Sequence, residues 1–153
     1  MKSFRADYRL ALAILLGIAF GLGAFTFFYA EGLSYFSSDP KACVNCHVMN
    51  HQYDSWSNSG HHHVATCNDC HLPHSLIPKL LAKGRNGWNH SLAFTLENFN
   101  HPIIITRHNY EILQKNCVRC HSKLVTDAIM IPAAGSHVSC IHCHRNVGHM
   151  PIH

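Results

Sequence analysis

The feature that most constrains this chain is a repeated motif of cysteines and histidine. All 8 cysteines fall into Cys-x-x-Cys pairs, and a histidine directly follows each pair. The motifs contain Cys43, Cys46 and His47; Cys67, Cys70 and His71; Cys117, Cys120 and His121; and Cys140, Cys143 and His144. This run is the attachment signature of haem c, in which the two thiols bond to the porphyrin and the histidine binds the iron. The sequence therefore predicts four covalently bound haem c groups.

Zinc sites and disulfide frameworks also use paired cysteines. Neither requires a histidine directly after each second cysteine. The chain has 16 histidines among 153 residues, so four chance matches have odds on the order of one in ten thousand. The motif pattern thus favours haem over both alternatives.

A run without charged side chains, Leu10–Ala30, predicts one transmembrane helix. As a helix it is about 31 Å long, enough to cross the hydrocarbon core of a bilayer. A cleaved signal peptide has a shorter apolar core and ends at small residues. Here Phe28 stands where a small residue would be needed. We therefore expect a retained, single-pass anchor.

Basic residues before the apolar run predict its orientation. Lys2, Arg5 and Arg9 should stay in the cytoplasm. The bulk of the chain then lies in the periplasm, on the outer side of a bacterial cytoplasmic membrane, which is also where haem attachment is completed. We expect residues 1–36 to form the cytoplasmic N-terminus and anchor, and residues 37–153 to form a periplasmic haem domain.

The predicted haem domain is too short to build a large core of its own side chains. We expect an all-α, irregular fold with the haems as the core, because sustained period-2 alternation is missing from the sequence. Short helices are predicted at Leu76–Leu81, Tyr110–Asn116 and Lys123–Met130, and prolines such as Pro78 are expected to limit helix length. The net charge of +4 is small and scattered, so no nucleic-acid partner is expected.

The segment Leu76–Leu81 is unusually apolar, and Lys83, Arg85 and Trp88 follow it. It could pack against haem, or it could lie on the membrane surface, where apolar, basic and Trp side chains are commonly combined. The sequence leaves both possibilities open.

Histidines outside the motifs could supply further iron ligands. Twelve remain, and composition does not select among them. Met49 is also a candidate, since it lies two residues after His47 and a Met thioether is a recognised axial ligand that raises the haem potential. Core packing is the alternative role for Met49, and spacing does not decide between them.

The motifs resemble those of the NapC/NirT family of tetrahaem cytochromes, and within it the NrfH branch of small subunits of cytochrome c nitrite reductases. The resemblance covers nearly the whole chain. It includes the basic-flanked anchor, Cys-x-x-Cys-His-x-Met at the first motif, Ser59-Gly60-His61, the run from Cys67 to His74, Lys79, Lys83, and the run from Cys143 to His149.

The resemblance implies a menaquinol-oxidising electron-transfer subunit. Electrons from the membrane quinol pool would pass through four haems to a periplasmic pentahaem catalytic subunit that reduces nitrite to ammonium. This chain would not itself reduce nitrite. Two other functions stay open: a NapC- or CymA-like quinol dehydrogenase for another periplasmic reductase, and a simple membrane-tethered electron relay.

The resemblance also implies roles for individual residues. It indicates that Met49 rather than His47 ligates haem 1, and that a lysine of the partner subunit completes one haem. The other iron ligands would be the motif histidines His71, His121 and His144, with a pool of distal ligands in His61, His74 and His149. Lys83 matches a family position beside haem 1, and His90 stands where the NrfH branch has an aspartate. Both are candidates for proton handling at a quinol site. Two alternatives stay open: His90 could instead bind the iron of haem 1, and Lys83 could instead bind anionic lipid headgroups.

Overall fold

The computed structural model describes residues 2–128 and 139–150, with side chains for 7–125 and 139–150. These residues form helices, turns and loops, and the described part contains no strand. Two compact units are distinguished, residues 1–37 and residues 38–153. The all-α class predicted from the sequence is therefore confirmed.

Helix α1 spans Lys2–Tyr29 and carries the apolar run. Its segment Asp7–Tyr29 has 23 residues with a mean hydropathy of 2.3, and none of it is buried in the structure. A 28-residue helix is about 42 Å long, which exceeds the thickness of the hydrocarbon core. The helix begins at Lys2 and so includes the basic residues before the predicted start at Leu10. Glu31, in the left-handed region with φ 49°, then leads into a 3-10 helix at Gly32–Phe36.

The second unit begins with short helices. Two 3-10 helices, Pro40–Asn45 and His47–Met49, lead into α2 at Asn50–Ser57. Helix α3 spans only Cys67–His71. It is fixed at its N-terminus by the Asp69 carboxylate, which accepts hydrogen bonds from the Thr66 backbone N–H at 2.8 Å and the Thr66 hydroxyl at 2.7 Å. These two bonds lower the pKa of Asp69.

Helix α4, Leu76–Leu96, is much longer than the short helix predicted at its start. Pro78 does not limit it, because in the first turn of a helix the missing N–H has no intrahelical acceptor to lose. The helix ends where Glu97 takes a left-handed conformation with φ 51°. The predicted end at Leu81 was therefore wrong, since the helix continues to Leu96.

Helix α5, Arg107–Ala128, joins two predicted short helices into one element. Tyr110–Asn116 lies entirely within it, and Lys123–Met130 lies within it as far as Ala128; residues 129 and 130 are outside the described range. The helix is interrupted at His121, whose φ of −103° and ψ of 21° are not helical. Helix α6, Cys140–Cys143, is a single turn.

The protein core among the described residues is very small. Its apolar members are Trp56, Leu72, Ala82 and Ile112, and the one buried polar residue among those described is Asn116. Leu72, Ala82 and Ile112 form a cluster that joins the end of α3 to helices α4 and α5. Many large apolar side chains of the described part of the second unit are therefore exposed in the structure.

Candidate functional site

Each Cys-x-x-Cys pair lies on about one helical turn. Residues three apart on a helix share one face, so both thiols of a pair can reach one planar group. The pairs sit in the 3-10 helix Pro40–Asn45 with the residue that follows it, in α3, in α5 and in α6. All eight thiols are free of disulfides.

The motif histidines lie where helical geometry ends. His121 interrupts α5, and His144, with φ −105° and ψ 57°, follows the last residue of α6. Leu72, directly after His71, is extended with φ −123° and ψ 149°. At these three motifs the backbone changes direction at the histidine or directly after it.

Successive motifs are neighbours in space. The Cys67 thiol donates a hydrogen bond to Cys43, which lowers the pKa of the Cys43 thiol to about 7. The Cys117 and Cys140 thiols also share a hydrogen bond. Cys70 interacts electrostatically with Cys117, which links the second motif to the third. The four attachment motifs are thus arranged in chain order, each beside the next.

Two pairs of imidazoles face each other at nearly the same separation. The ring centroids of His61 and His121 are 6.1 Å apart with an interplanar angle of 64°. Those of His71 and His149 are 6.1 Å apart and nearly parallel, at 15°. Two imidazoles on opposite sides of one metal, each with a metal–nitrogen bond of about 2 Å, have centroids about 6 Å apart. The ring separation in each pair therefore fits two histidines that would bind one iron, and one histidine of each pair belongs to an attachment motif.

The His71–His149 pair is held in the neutral form. Burial, followed by repulsion from His149, lowers the pKa of His71 to about 4. Burial is also the main cause that lowers the pKa of His149. A neutral imidazole has a lone pair free for iron, so both side chains are ready to act as ligands at neutral pH.

Other candidate ligands differ in exposure. Met49 is half-buried, at the end of the 3-10 helix His47–Met49, while His47 is exposed. His74 and His144 are also exposed, and a ring nitrogen of His74 lies 3.2 Å from the Asp69 carbonyl oxygen. The structure thus brings His61 and His149 to motif histidines and leaves Met49 half-buried, while His74 contacts α3.

Lys83 and His90 lie seven residues apart on α4, about two turns, and so share a face of that helix. Burial, then repulsion from Lys79, lowers the pKa of Lys83, and the Cys43 sulfur is near enough to oppose this effect. Burial also lowers the pKa of His90. The two predicted proton-handling residues therefore share one face of α4, with Lys83 close to the first attachment motif.

Several residues that position the motifs do not belong to any motif themselves, and the sequence did not indicate them. Asn116 donates from its amide nitrogen to the Cys70 and Leu72 carbonyl oxygens, both at 2.9 Å. Gln114 accepts from the Cys140 backbone N–H at 3.2 Å. The Trp56 indole N–H donates to the Ala65 carbonyl at 3.0 Å and so holds the loop that contains His61. Only their proximity to the motifs in sequence could have suggested Gln114 and Asn116.

Comparison with known proteins shows the family to which this chain belongs. The family model described as the NapC/NirT cytochrome c family, N-terminal region, matches residues 5–153. The chain belongs to the NapC/NirT cytochrome c family. As a member of that family it binds haem c covalently, and its N-terminal apolar helix fits a single-pass membrane anchor.

Two of the relatives that the chain resembles are NrfH proteins. The chain is 40% identical over 146 residues to cytochrome c-type protein NrfH of Wolinella succinogenes, covering 89% of this chain and 82% of that protein. It is 34% identical over 149 residues to cytochrome c nitrite reductase subunit NrfH of Nitratidesulfovibrio vulgaris, covering 97% and 89%. A solved crystal structure of the cytochrome c nitrite reductase NrfHA complex, bound to the inhibitor HQNO, is similar with a TM-score of 0.62 and 30% identity, covering 90% of both chains.

Proposed function

We propose that this chain is the membrane-anchored, quinol-oxidising subunit of a cytochrome c nitrite reductase. The observation that carries the proposal is the pairing of His61 with His121 and of His71 with His149 at 6.1 Å, in a chain similar over 90% of its length to one from the NrfHA complex. The donor is menaquinol from the membrane pool, and the partner is a periplasmic pentahaem subunit that reduces nitrite.

The chain holds four haem c groups, one at each Cys-x-x-Cys-His motif. Their irons supply one-electron transfer, so a two-electron donor can be emptied one electron at a time. Support comes from eight free cysteines and from attachment motifs that adjoin in chain order. The chain itself positions the electron donor and arranges the haem sites in a path.

The ring geometry supports an assignment of two pairs of iron ligands. His71 and His149 would hold haem 2, and His121 and His61 would hold haem 3. His74, the remaining histidine of the predicted pool, would hold haem 4 together with His144. Met49 would hold haem 1, supported by its half-buried side chain beside an exposed His47.

The quinol site lies on the face of α4 that carries Lys83 and His90. Oxidising a quinol releases a proton with each electron, so an acceptor must lie within hydrogen-bond reach of the quinol hydroxyl. His90 is neutral above its lowered pKa and can accept that proton. Lys83, an ammonium donor near Cys43, can hold the quinol oxygen beside haem 1.

The orientation in the membrane places the second unit in the periplasm. Support comes from the basic residues at the start of α1, which favour the cytoplasmic side. The partner subunit and the haem-attachment machinery are on the opposite side, so the proposed topology is consistent with both.

Purification in mild detergent tests the proposal. We expect the chain to carry the mass of four haems, and a nitrite-reducing multihaem subunit to co-elute with it. Reconstituted with menaquinol in vesicles, the complex should reduce nitrite. Co-elution of a different reductase would instead favour the NapC- or CymA-like function, and four reducible haems without quinol oxidation would favour a simple relay.

A further inference from the structure

The amide of Asn116 lies between two haem-attachment motifs. Asn116 is in α5, directly before Cys117 of the third motif, and its exposed fraction is 8%. Its Nδ2 donates to the carbonyl oxygens of Cys70 and Leu72, each at 2.9 Å. Those two carbonyls stand on either side of His71 in the second motif.

The two acceptors are groups that α3 cannot satisfy itself. The last carbonyls of a helix have no intrahelical partner, and α3 ends at His71. An Asn amide has two N–H donors, which match two acceptors. Because Asn116 and Leu72 are buried, loss of the amide would leave the Leu72 carbonyl without a replacement partner, and it would also remove the bond to the part-buried Cys70 carbonyl.

These bonds restrain the peptide that carries the His71 ring. On the other side, the Leu72 N–H donates to the Asn68 carbonyl at 3.0 Å and closes the last turn of α3. Ile112, one turn before Asn116 on α5, packs in the same cluster as Leu72. The backbone around His71 is thus fixed from α3 and α5 together, and the ring lies nearly parallel to that of His149.

We propose that Asn116 is a positioning residue that fixes the plane of the His71 imidazole and the spacing of the second and third attachment motifs. The proposal rests on the proposed function, specifically on haem 2 being bound by His71. Hydrogen bonds behind a ligand orient it and tune the metal it binds. Asn116 therefore sets the ligand-plane angle and potential of haem 2, and with them electron transfer from haem 2 to haem 3.

Low-temperature EPR and redox titration of the full-length holoprotein test this role. The largest g value of a ferric haem with two imidazole ligands depends on the angle between their planes. In Asn116→Leu, we expect four haems by mass spectrometry, a displaced g value for one haem, a shifted midpoint potential for the same haem, and slower reoxidation by nitrite in the reductase complex. Asn116→Gln keeps the amide donors and should recover part of each change.

Asn109→Leu is the matched control. Asn109 is also on α5 and also makes an inter-helix bond, from its Nδ2 to Asn86 Oδ1 at 3.2 Å, but it does not bond to a motif carbonyl. We expect it to lower the melting temperature and leave the EPR spectrum unchanged. If Asn116→Leu behaves in the same way, Asn116 is only structural and the proposal is overturned.

Two further outcomes keep the test decisive. If Asn116→Leu does not accumulate, Asn116→Ser is measured instead, since one hydroxyl can serve only one of the two carbonyls; an unchanged spectrum there overturns the proposal. A wild-type protein with fewer than four haems, or with haem 2 retaining its EPR signal in His71→Ala, would overturn the proposed function itself, and with it the premise for Asn116.

Discussion

At the scale of single residues, burial and exposure distinguish side chains that the sequence treats alike. His47 and Met49 are two residues apart, yet the former is exposed and the latter half-buried. His62 and His61 are adjacent, yet His61 faces His121 while His62 packs on Trp56 with centroids 4.7 Å apart. The side chain that can bind an iron is therefore decided by local backbone direction.

Replacing Met49 tests the proposed ligand of haem 1. A thioether favours the reduced iron relative to an imidazole, so Met49→His should lower the midpoint potential of one haem in a redox titration. Met150→His, at an exposed methionine, is the control and should leave all four potentials in place. An unchanged titration for Met49→His would assign Met49 to packing.

Lys83 should be needed for quinol oxidation but not for haem binding. Lys83→Leu removes the ammonium donor near Cys43, and we expect it to abolish menaquinol oxidation. The variant should still carry four haems and be fully reduced by dithionite. Lys115→Leu, at an exposed lysine on α5, is the control; normal turnover by the Lys83 variant would remove this residue from the mechanism.

His90 should determine how the rate of menaquinol oxidation falls at acidic pH. Burial lowers its pKa below the ordinary value of 6.5, so the ring is neutral at neutral pH and becomes protonated only as the pH falls through the lowered pKa. A protonated ring cannot accept the quinol proton. We therefore expect the wild-type rate to be flat above about pH 6.5 and to fall below it. His90→Gln should be slower and lose that pH dependence, whereas His108→Gln should retain it.

At the scale of elements, short helices are held by a few specific bonds. Helix α3 has only five residues, too few to be stable alone in water. Its N-terminus depends on Thr66 and Asp69, and its C-terminus on Asn116. Helix α5 in turn bonds to α6 through Gln114. The long helix thus organises three of the four attachment motifs.

Removing the Thr66 hydroxyl should destabilise the second motif. Thr66→Ala deletes its 2.7 Å bond to Asp69, and we expect a loss of about 1 kcal/mol in the free energy of unfolding. Thermal unfolding of the holoprotein, followed by circular dichroism, measures the change. Thr66→Ser retains the hydroxyl and should stay close to wild type; equal losses in both variants would mean that the cap is not the cause.

At the scale of the whole molecule, anchor and haem domain have separable functions. We expect the mature protein to retain Leu10–Ala30 and to remain in the membrane fraction after a high-salt wash. Replacing residues 1–36 with a cleavable signal peptide should give a soluble protein that still carries four haems but no longer oxidises menaquinol in vesicles. A native N-terminus near Glu31, found by N-terminal sequencing, would contradict a retained anchor.

The sequence by itself determined the fold class and the family, and it predicted the anchor and the attachment sites. Cys-x-x-Cys-His works at the scale of one helical turn, and a span such as Leu10–Ala30 needs only length and lack of charge, so both can be identified without tertiary structure. The helix predicted at Leu76–Leu81 was too short because the polar residues after Ala82 form no apolar run, whereas in the folded chain Ala82 packs with Leu72 and Ile112.

Only the tertiary structure decided which distant side chains meet. His71 and His149 are 78 positions apart in the sequence, and Asn116 reaches carbonyls 44 and 46 residues away. Such pairings depend on how α3, α5 and the C-terminal segment pack, and neither composition nor spacing encodes that packing. With twelve histidines outside the motifs, many pairings were chemically equivalent, and the positions of the backbone selected among them.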